Sequence, residues 1–196
     1  SMGEDFEMVM RLHRYIGDHR LPYRLRFVPD PVCWTEVPET LRVLRRQRTR
    51  WHRALFDTLL RHRKMVGNPR YGAVGLLSLP AFVVFELLGP IVELLGYIVV
   101  PISYMVGLLN TQHMLAFLAA AFLLSMLLSV FAVFLDDITF PRHARARDLA
   151  LLILLSIVAN LGYRQLTVWW RVVSFYEYWR GVGGWGQMER RGLNSA

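Results

Sequence analysis

Two groups of side chains in this sequence have types and spacing that could do chemistry. Gly3 precedes two adjacent carboxylates, Glu4 and Asp5. A carboxylate so placed can take the proton of a hydroxyl as it attacks an electrophile. Further along, Gln47, Arg50 and Trp51 stand at i, i+3 and i+4. Helical register projects all three from one face. An amide, a guanidinium and an indole side by side offer a hydrogen bonder, an anion clamp and a stacking platform. That combination suits a sugar ring attached to a diphosphate. Each group also has a plainer reading. Acids at a helix start complement its dipole, and a tryptophan among arginines is common at a membrane surface.

The elements that must position these groups follow from periodicity. Residues 4–18 read as a helix with Met8, Val9, Leu12 and Ile16 on one face and Glu4, Asp5 and Glu7 in the first turn. Residues 23–35 read as extended, with Tyr23, Leu25 and Phe27 alternating against Arg24 and Arg26 until Pro29-Asp30-Pro31 breaks the run. A second helix is expected from about 38 to 65, started at Pro38 and ended by Gly67-Asn68-Pro69. Its Leu41, Leu44, Trp51, Leu55 and Leu59 share a stripe, while Arg42, Arg45, Arg46, Arg48 and Arg53 crowd the remaining surface. Such a basic amphipathic helix would lie in the headgroup plane of a membrane.

Charge and hydropathy are sharply segregated. The chain of 196 residues is 54% hydrophobic yet carries a formal net charge of +8. Fifteen of the 23 basic residues lie in 1–70, and none lies in 71–135, where the acids are Glu86 and Glu93. An ordinary soluble domain is excluded, as is a disordered basic tail. Residues 72–109 are too long for one straight crossing and are punctuated by Pro80, Gly89-Pro90 and Pro101; a re-entrant helix plus one span, or two spans broken at Gly89-Pro90, would fit. Residues 114–135 read as a single span. Residues 149–170 are apolar but interrupted by Asn160 and Arg164, and Arg164 needs protein or water beside it. The bias of basic residues puts 1–70 and 136–148 on the cytoplasmic side. Trp169, Trp170, Tyr176, Tyr178 and Trp179 read as an aromatic belt or as the lining of a polysaccharide path. Lys64 is the one lysine, and arginine suits phosphate recognition through its planar fork. Cys33 is the sole cysteine, so no intrachain disulfide can form. The six histidines show no zinc-ligand spacing, and arginines interleaved with a lipid-type apolar face argue against nucleic acid.

Taken together and in this order, Glu4-Asp5 and Gln47-x-x-Arg50-Trp51 ahead of membrane spans resemble the membrane-embedded family 2 glycosyltransferases. That group includes the cellulose, hyaluronan and poly-N-acetylglucosamine synthases. Pro38-Glu39-Thr40-Leu41-Arg42, Asn68-Pro69-Arg70-Tyr71-Gly72 and Gly184-Trp185-Gly186 are similar as well, so the resemblance runs along nearly the whole chain. Gly3 stands where cellulose synthases carry threonine, which points away from that branch.

The resemblance implies a mainly α, multi-span helical membrane protein. Residues 1–37 would be the C-terminal edge of a cytosolic GT-A type α/β catalytic domain and 38–70 the interfacial helix. Residues 71–170 would form the transmembrane module and 171–196 a cytosolic or interfacial tail. Asp5 would be the catalytic base, with Glu4 supporting its loop. Gln47, Arg50 and Trp51 would bind substrate and diphosphate. The implied activity is part of an inverting, processive transferase at the bacterial inner membrane, using a nucleotide-sugar donor and a glycan acceptor. Mg²⁺ or Mn²⁺ is expected in the full enzyme on an Asp-x-Asp pair. This sequence has no Asp-x-Asp; Asp136-Asp137 is adjacent and comes after two membrane segments. The expectation is therefore a C-terminal portion that lacks the donor-binding half and is inactive alone. Two other classes compete: a non-catalytic membrane subunit binding anionic lipid or a partner through its basic helix, and a small transporter using Glu86, Glu93, Asn160 and Arg164.

Overall fold

The computed structural model describes residues 3–22, 25–26, 28, 35–139 and 146–181. It is mainly α, with no strand among the described residues. The extended reading of 23–35 falls mostly outside that set. The chain forms two compact units, Ser1–Ile91 with Trp169–Ala196, and Val92–Val168.

The first unit opens with α1 (Glu4–His19), whose first turn holds Glu4, Asp5 and Glu7. Arg20 ends it in the left-handed conformation, and the Leu21 amide returns to the Ile16 carbonyl at 3.1 Å. α2 (Leu41–Arg61) starts at Thr40, whose hydroxyl accepts from the Val43 amide at 3.3 Å, rather than at Pro38. It stops at Arg61, and Arg63–Met65 tightens into a 3₁₀ turn instead of extending the helix to 65.

The expected apolar face of α1 is not the one that packs. Met8, Val9 and Leu12 are exposed, whereas Glu7 and Met10 are buried. The true seam runs through Gly3, Met10 and Gly17, seven residues apart. Both glycines sit where a Cβ would collide with a neighbour, Ala54 at one end and the Tyr71 ring at the other. Close approach of α1 thus depends on missing side chains, and a hydropathy pattern does not register those. Met10 joins Leu59, Met65, Leu79 and Leu87 in the core of this unit.

Beyond a second 3₁₀ turn (Pro69–Tyr71), the apolar segment starts with π-helical stretches, Val74–Ser78 and Phe82–Leu87, around the single α turn α3 (Leu79–Ala81). Pro80 accounts for this local widening: its ring removes a donor and crowds the carbonyl four residues back. The flanking amides reach one residue further, as Leu88 does to Val83 at 3.0 Å. The run continues into α4 (Gly89–Met105), so Gly89-Pro90 marks the change from π to α winding within one helical run. Val74–Met105 is long and apolar enough to cross a membrane once.

The second unit contains most of α4, then α5 (Thr111–Thr139), α6 (Ala146–Ala159) and the start of α7 (Tyr163–Trp179). α5 is the second helix able to span a membrane, and its 29 residues include no buried one. α6 and α7 meet at a 58° bend and form a third candidate if taken as one broken span. At the bend, the Asn160 amide donates to Ser129 Oγ at 3.0 Å and to the Ser156 carbonyl at 2.8 Å. Arg164 finds protein partners, as its cost in an apolar medium requires, though its side chain stays 43% accessible. Its guanidinium donates to both Glu93 oxygens at 2.7 and 3.1 Å and to Ser125 Oγ at 2.9 Å, and the Tyr97 hydroxyl donates to Glu93 Oε1 at 2.5 Å.

Candidate functional site

The start of α1 and one face of α2 come together, and Gly3 is the hinge of that meeting. A Cβ built on Gly3 would lie 2.7 Å from Ala54 Cβ, inside any normal contact. Ala54 follows Gln47, Arg50 and Trp51 at the next helical step, i+7 from Gln47, so it extends their face by one turn. The turn that carries Glu4 and Asp5 therefore rests on the face that carries the amide, the guanidinium and the indole. Glu4 and Asp5 are exposed, Gln47 and Arg50 are half-buried, and Trp51 is 50% exposed. Those exposures leave a carboxylate and an aromatic face open to a substrate.

Arg48 belongs to the same surface. Its guanidinium lies over the Trp51 ring, 5.2 Å from the centroid, which restrains the indole through a cation–π contact. The i, i+3 spacing of Arg48 and Trp51 was the available signal, hidden among many arginines.

The opposite face of α2 anchors it. Thr49, His52, Arg53 and Phe56 also follow i, i+3, i+4, i+7 spacing, about half a turn away from the first stripe. The first three are buried. They pack on the last turns of α7: Arg53 Nη1 lies 3.8 Å from Glu177 Oε2, Phe56 meets Tyr178 edge-on at 4.6 Å, and His52 meets Phe175 edge-on at 4.9 Å. Arg53 was expected to crowd the surface; instead it is 7% exposed because a carboxylate more than 120 residues away receives it.

His52 is the centre of this anchor. Its Nδ1 is 2.6 Å from Ser174 Oγ, and that hydroxyl donates to the Arg171 carbonyl at 2.5 Å. With the hydroxyl proton spent on a carbonyl, His52 donates from Nδ1. Burial, with the nearby Arg171 charge, pushes the imidazole down to about 4, and the carbonyls of Glu86 and Leu87 offset part of that. The ring is neutral at physiological pH, adjacent in sequence to Trp51. Arg171 in turn donates to Glu86 Oε2 at 3.0 Å and to the Glu86 carbonyl, which gives Glu86 the partner its apolar surroundings call for.

The aromatic residues of α7 divide. Trp170 is buried, Tyr178 packs on Phe56, and Trp169, Tyr176 and Trp179 are exposed. Gly184, Trp185 and Gly186 lie outside the described residues, as do Arg142 and Arg145.

Comparison with known proteins gives the chain a family. The sequence model of glycosyl transferase family group 2 matches residues 1–178. The chain is also 40% identical over 53 residues to the probable glycosyltransferase YdaM of Bacillus subtilis (strain 168). That stretch is 27% of this chain and 11% of YdaM, so the chain aligns with only a small part of that relative. No solved structure matches. A family match over nearly the whole chain identifies this protein as a member of glycosyl transferase family group 2.

Proposed function

We propose that the chain supplies the acceptor side of an inverting, processive sugar transfer that uses a nucleotide-sugar donor. Asp5 takes the proton of the acceptor hydroxyl as that oxygen bonds to the anomeric carbon. The bond from that carbon to the diphosphate breaks on the opposite side, and its electron pair leaves with the nucleoside diphosphate. Arg50 stabilises the charge that builds there, and Gln47 positions donor or diphosphate. Trp51, restrained by Arg48, stacks on the acceptor sugar. Glu4 orients the turn of Asp5. The apolar helices would then lead the glycan into the membrane, with residues 1–70 on the cytoplasmic side of a bacterial inner membrane. Among the described residues no three His, Cys, Asp or Glu side chains are grouped as a metal site would need, so no residue named here is assigned to the divalent metal such a donor would bring. The donor and its metal would be held by residues other than these.

The observation that carries this reading is the Gly3–Ala54 approach, which joins the carboxylate turn to the Gln47, Arg50 and Trp51 face. The test is sugar transfer by the complete transferase in membranes. Asp5→Asn should lower kcat by about 10²–10⁴-fold, and Arg50→Lys, which keeps charge and loses the fork, should also be severely impaired. Gly3→Ala should cost roughly 10²-fold by displacing the turn, and Ala54→Gly in the same chain should recover most of it. Near-normal turnover of Asp5→Asn or Arg50→Lys would sink the reading.

A further inference from the structure

A groove of about 430 Å³ runs along α1 from Glu7 to His19, beside the end of α2 at Arg61 and His62. It is separate from the surface just described. Glu7 at its near end is two residues after Asp5, but Arg14 is nine residues beyond Asp5 on α1 and Arg61 eleven beyond Arg50 on α2, about 14–17 Å further along each helix.

Three arginines wall the groove, and all three are held in the same way. Arg11 Nε bonds Glu7 Oε1 at 2.8 Å, Arg61 Nε bonds Asp57 Oδ2 at 2.9 Å, and Arg14 Nε lies 3.5 Å from Asp18 Oδ2. Each acid stands four residues away and takes the Nε edge, which fixes the side chain and leaves the terminal nitrogens outside that pair. Those side chains are 66%, 50% and 44% accessible, respectively. Three guanidiniums thus meet three carboxylates, of which Glu7 and Asp18 line the groove.

The floor points to a ligand independently. Glu7 and His62 line it and are both more than nine-tenths buried. Yet Glu7 Oε2 and both ring nitrogens of His62 make no hydrogen bond, with Nε2 and Oε2 resting 3.4 Å apart. A buried imidazole N–H left in this condition requires an explanation, and an acceptor oxygen in the groove would be its partner, while Glu7 Oε2, itself an acceptor, stays beside His62 Nε2.

Position then selects the surroundings. The end of α1 is stapled to the turn just before the first apolar helix. Arg70 donates to the Gly17 and Asp18 carbonyls at 3.2 and 2.7 Å, and the Tyr71 hydroxyl donates to Asp18 Oδ1 at 2.8 Å. Val74, three residues on, begins the helix long enough to cross a membrane. With Val74–Met105 across a membrane, the groove rim would lie at its surface, among headgroups.

We propose that this groove is a phosphate site at the membrane surface. The terminal nitrogens of Arg11, Arg14 and Arg61 hold the phosphate oxygens over the Glu7–His62 floor. Charge-assisted forks are the donors that fit such oxygens. The phosphate belongs to an anionic lipid headgroup or to a soluble phosphate ester, and the location favours the lipid. This inference rests on the membrane disposition of Val74–Met105 and not on sugar transfer, so binding can fail while transfer stands, and the reverse.

The experiment measures binding by the full chain in detergent micelles, using native mass spectrometry. The probes are dioctanoyl phosphatidylglycerol, dioctanoyl phosphatidylcholine and glycerol 3-phosphate. Arg14→Gln is the primary variant, because Asp18 stays bonded to Tyr71 and the staple survives. It should weaken phosphatidylglycerol binding about tenfold, with Arg61→Gln similar and Arg14→Lys intermediate. Arg45→Gln, which removes one exposed charge from α2 away from the groove, should change binding less than about twofold. Preference for phosphatidylglycerol over both other probes assigns the phosphate to a lipid headgroup; equal competition by glycerol 3-phosphate assigns it to a soluble ester. Unchanged binding in Arg14→Gln and Arg14→Lys, or an equal loss in Arg45→Gln, overturns the site.

Discussion

The two units place their polar side chains by opposite rules. In the first, Glu7, Thr49, His52, Arg53, Thr58, His62 and Ser174 are buried among apolar side chains. In the second, α5 buries nothing, and Leu123, Leu124, Leu127, Leu128 and Phe131 lie on the outside. A helix of that kind is arranged for an apolar solvent, where an exposed leucine costs nothing. Polar groups there have no water to turn to and must find one another. Glu93, Tyr97, Ser125 and Arg164 do so in one shell, and Asn160 with Ser129 in another. The first unit uses apolar packing to shield polar contacts, whereas the second uses polar contacts to tie together helices whose apolar faces have no preference for each other.

The strongest way to break this contrast is Arg164→Gln. It leaves the Glu93 carboxylate with Tyr97 and no cation in the least polar part of the chain. Stranding one charge of such a pair in an apolar medium costs more than removing both. Unfolding in mixed micelles should show that loss, and Glu93→Gln with Arg164→Gln should recover most of it, since no charge is then stranded. If the double variant is as unstable as the single one, the pair is not what holds α4 and α7 together in this unit.

Much of this organisation was legible in advance, and the exceptions share a cause. The helix over 4–18 followed from periodicity and first-turn acids, and the one expected over 38–65 from periodicity, though it spans Leu41–Arg61 with no acid in its first turn; the apolar runs followed from the missing charges in 71–135. The need of Arg164 for a partner followed from its surroundings. The burial of His52 and Arg53 did not, because their partners Ser174 and Glu177 lie more than 120 residues away and local pattern carries no such information. The packing face of α1 was misread because its seam is marked by two glycines and not by large apolar residues. Within the candidate site, the Gln47, Arg50 and Trp51 face was visible from spacing alone. That Gly3 would seat the carboxylate turn upon it was not, since an absent side chain has no periodicity.

The first unit should answer to acid. His52 titrates near 6.5 when unfolded but is held at about 4 in the folded chain. Between those values the unfolded chain binds the extra proton, so its contribution is fully present above 6.5 and is lost as pH falls toward 4. The span of the shift corresponds to about 3 kcal/mol. Thermal unfolding followed from pH 7 to pH 4.5 should lose stability in the wild-type chain and lose less in His52→Gln. Parallel curves would show that the imidazole is not the group being protonated.

The smallest of these effects isolates the hydroxyl that links α2 to α7. Ser174→Ala removes the acceptor for His52 Nδ1 and leaves a buried N–H with no partner. That omission costs about 1–3 kcal/mol, more than the net value of the bond itself. The anchor also includes Phe56 on Tyr178 and Arg53 near Glu177, so the helix should stay seated and the effect should fall at the low end. Thr at 174 keeps the hydroxyl but adds a methyl at a site 1% exposed, so packing must give way instead. Comparing the two variants separates the hydrogen bond from the space around it. A stability loss in Ser174→Ala that His52→Gln abolishes would assign the cost to the stranded imidazole N–H. An equal loss in both backgrounds would assign it to the lost hydroxyl's bond to Arg171, and the anchor of α2 would then rest on packing alone.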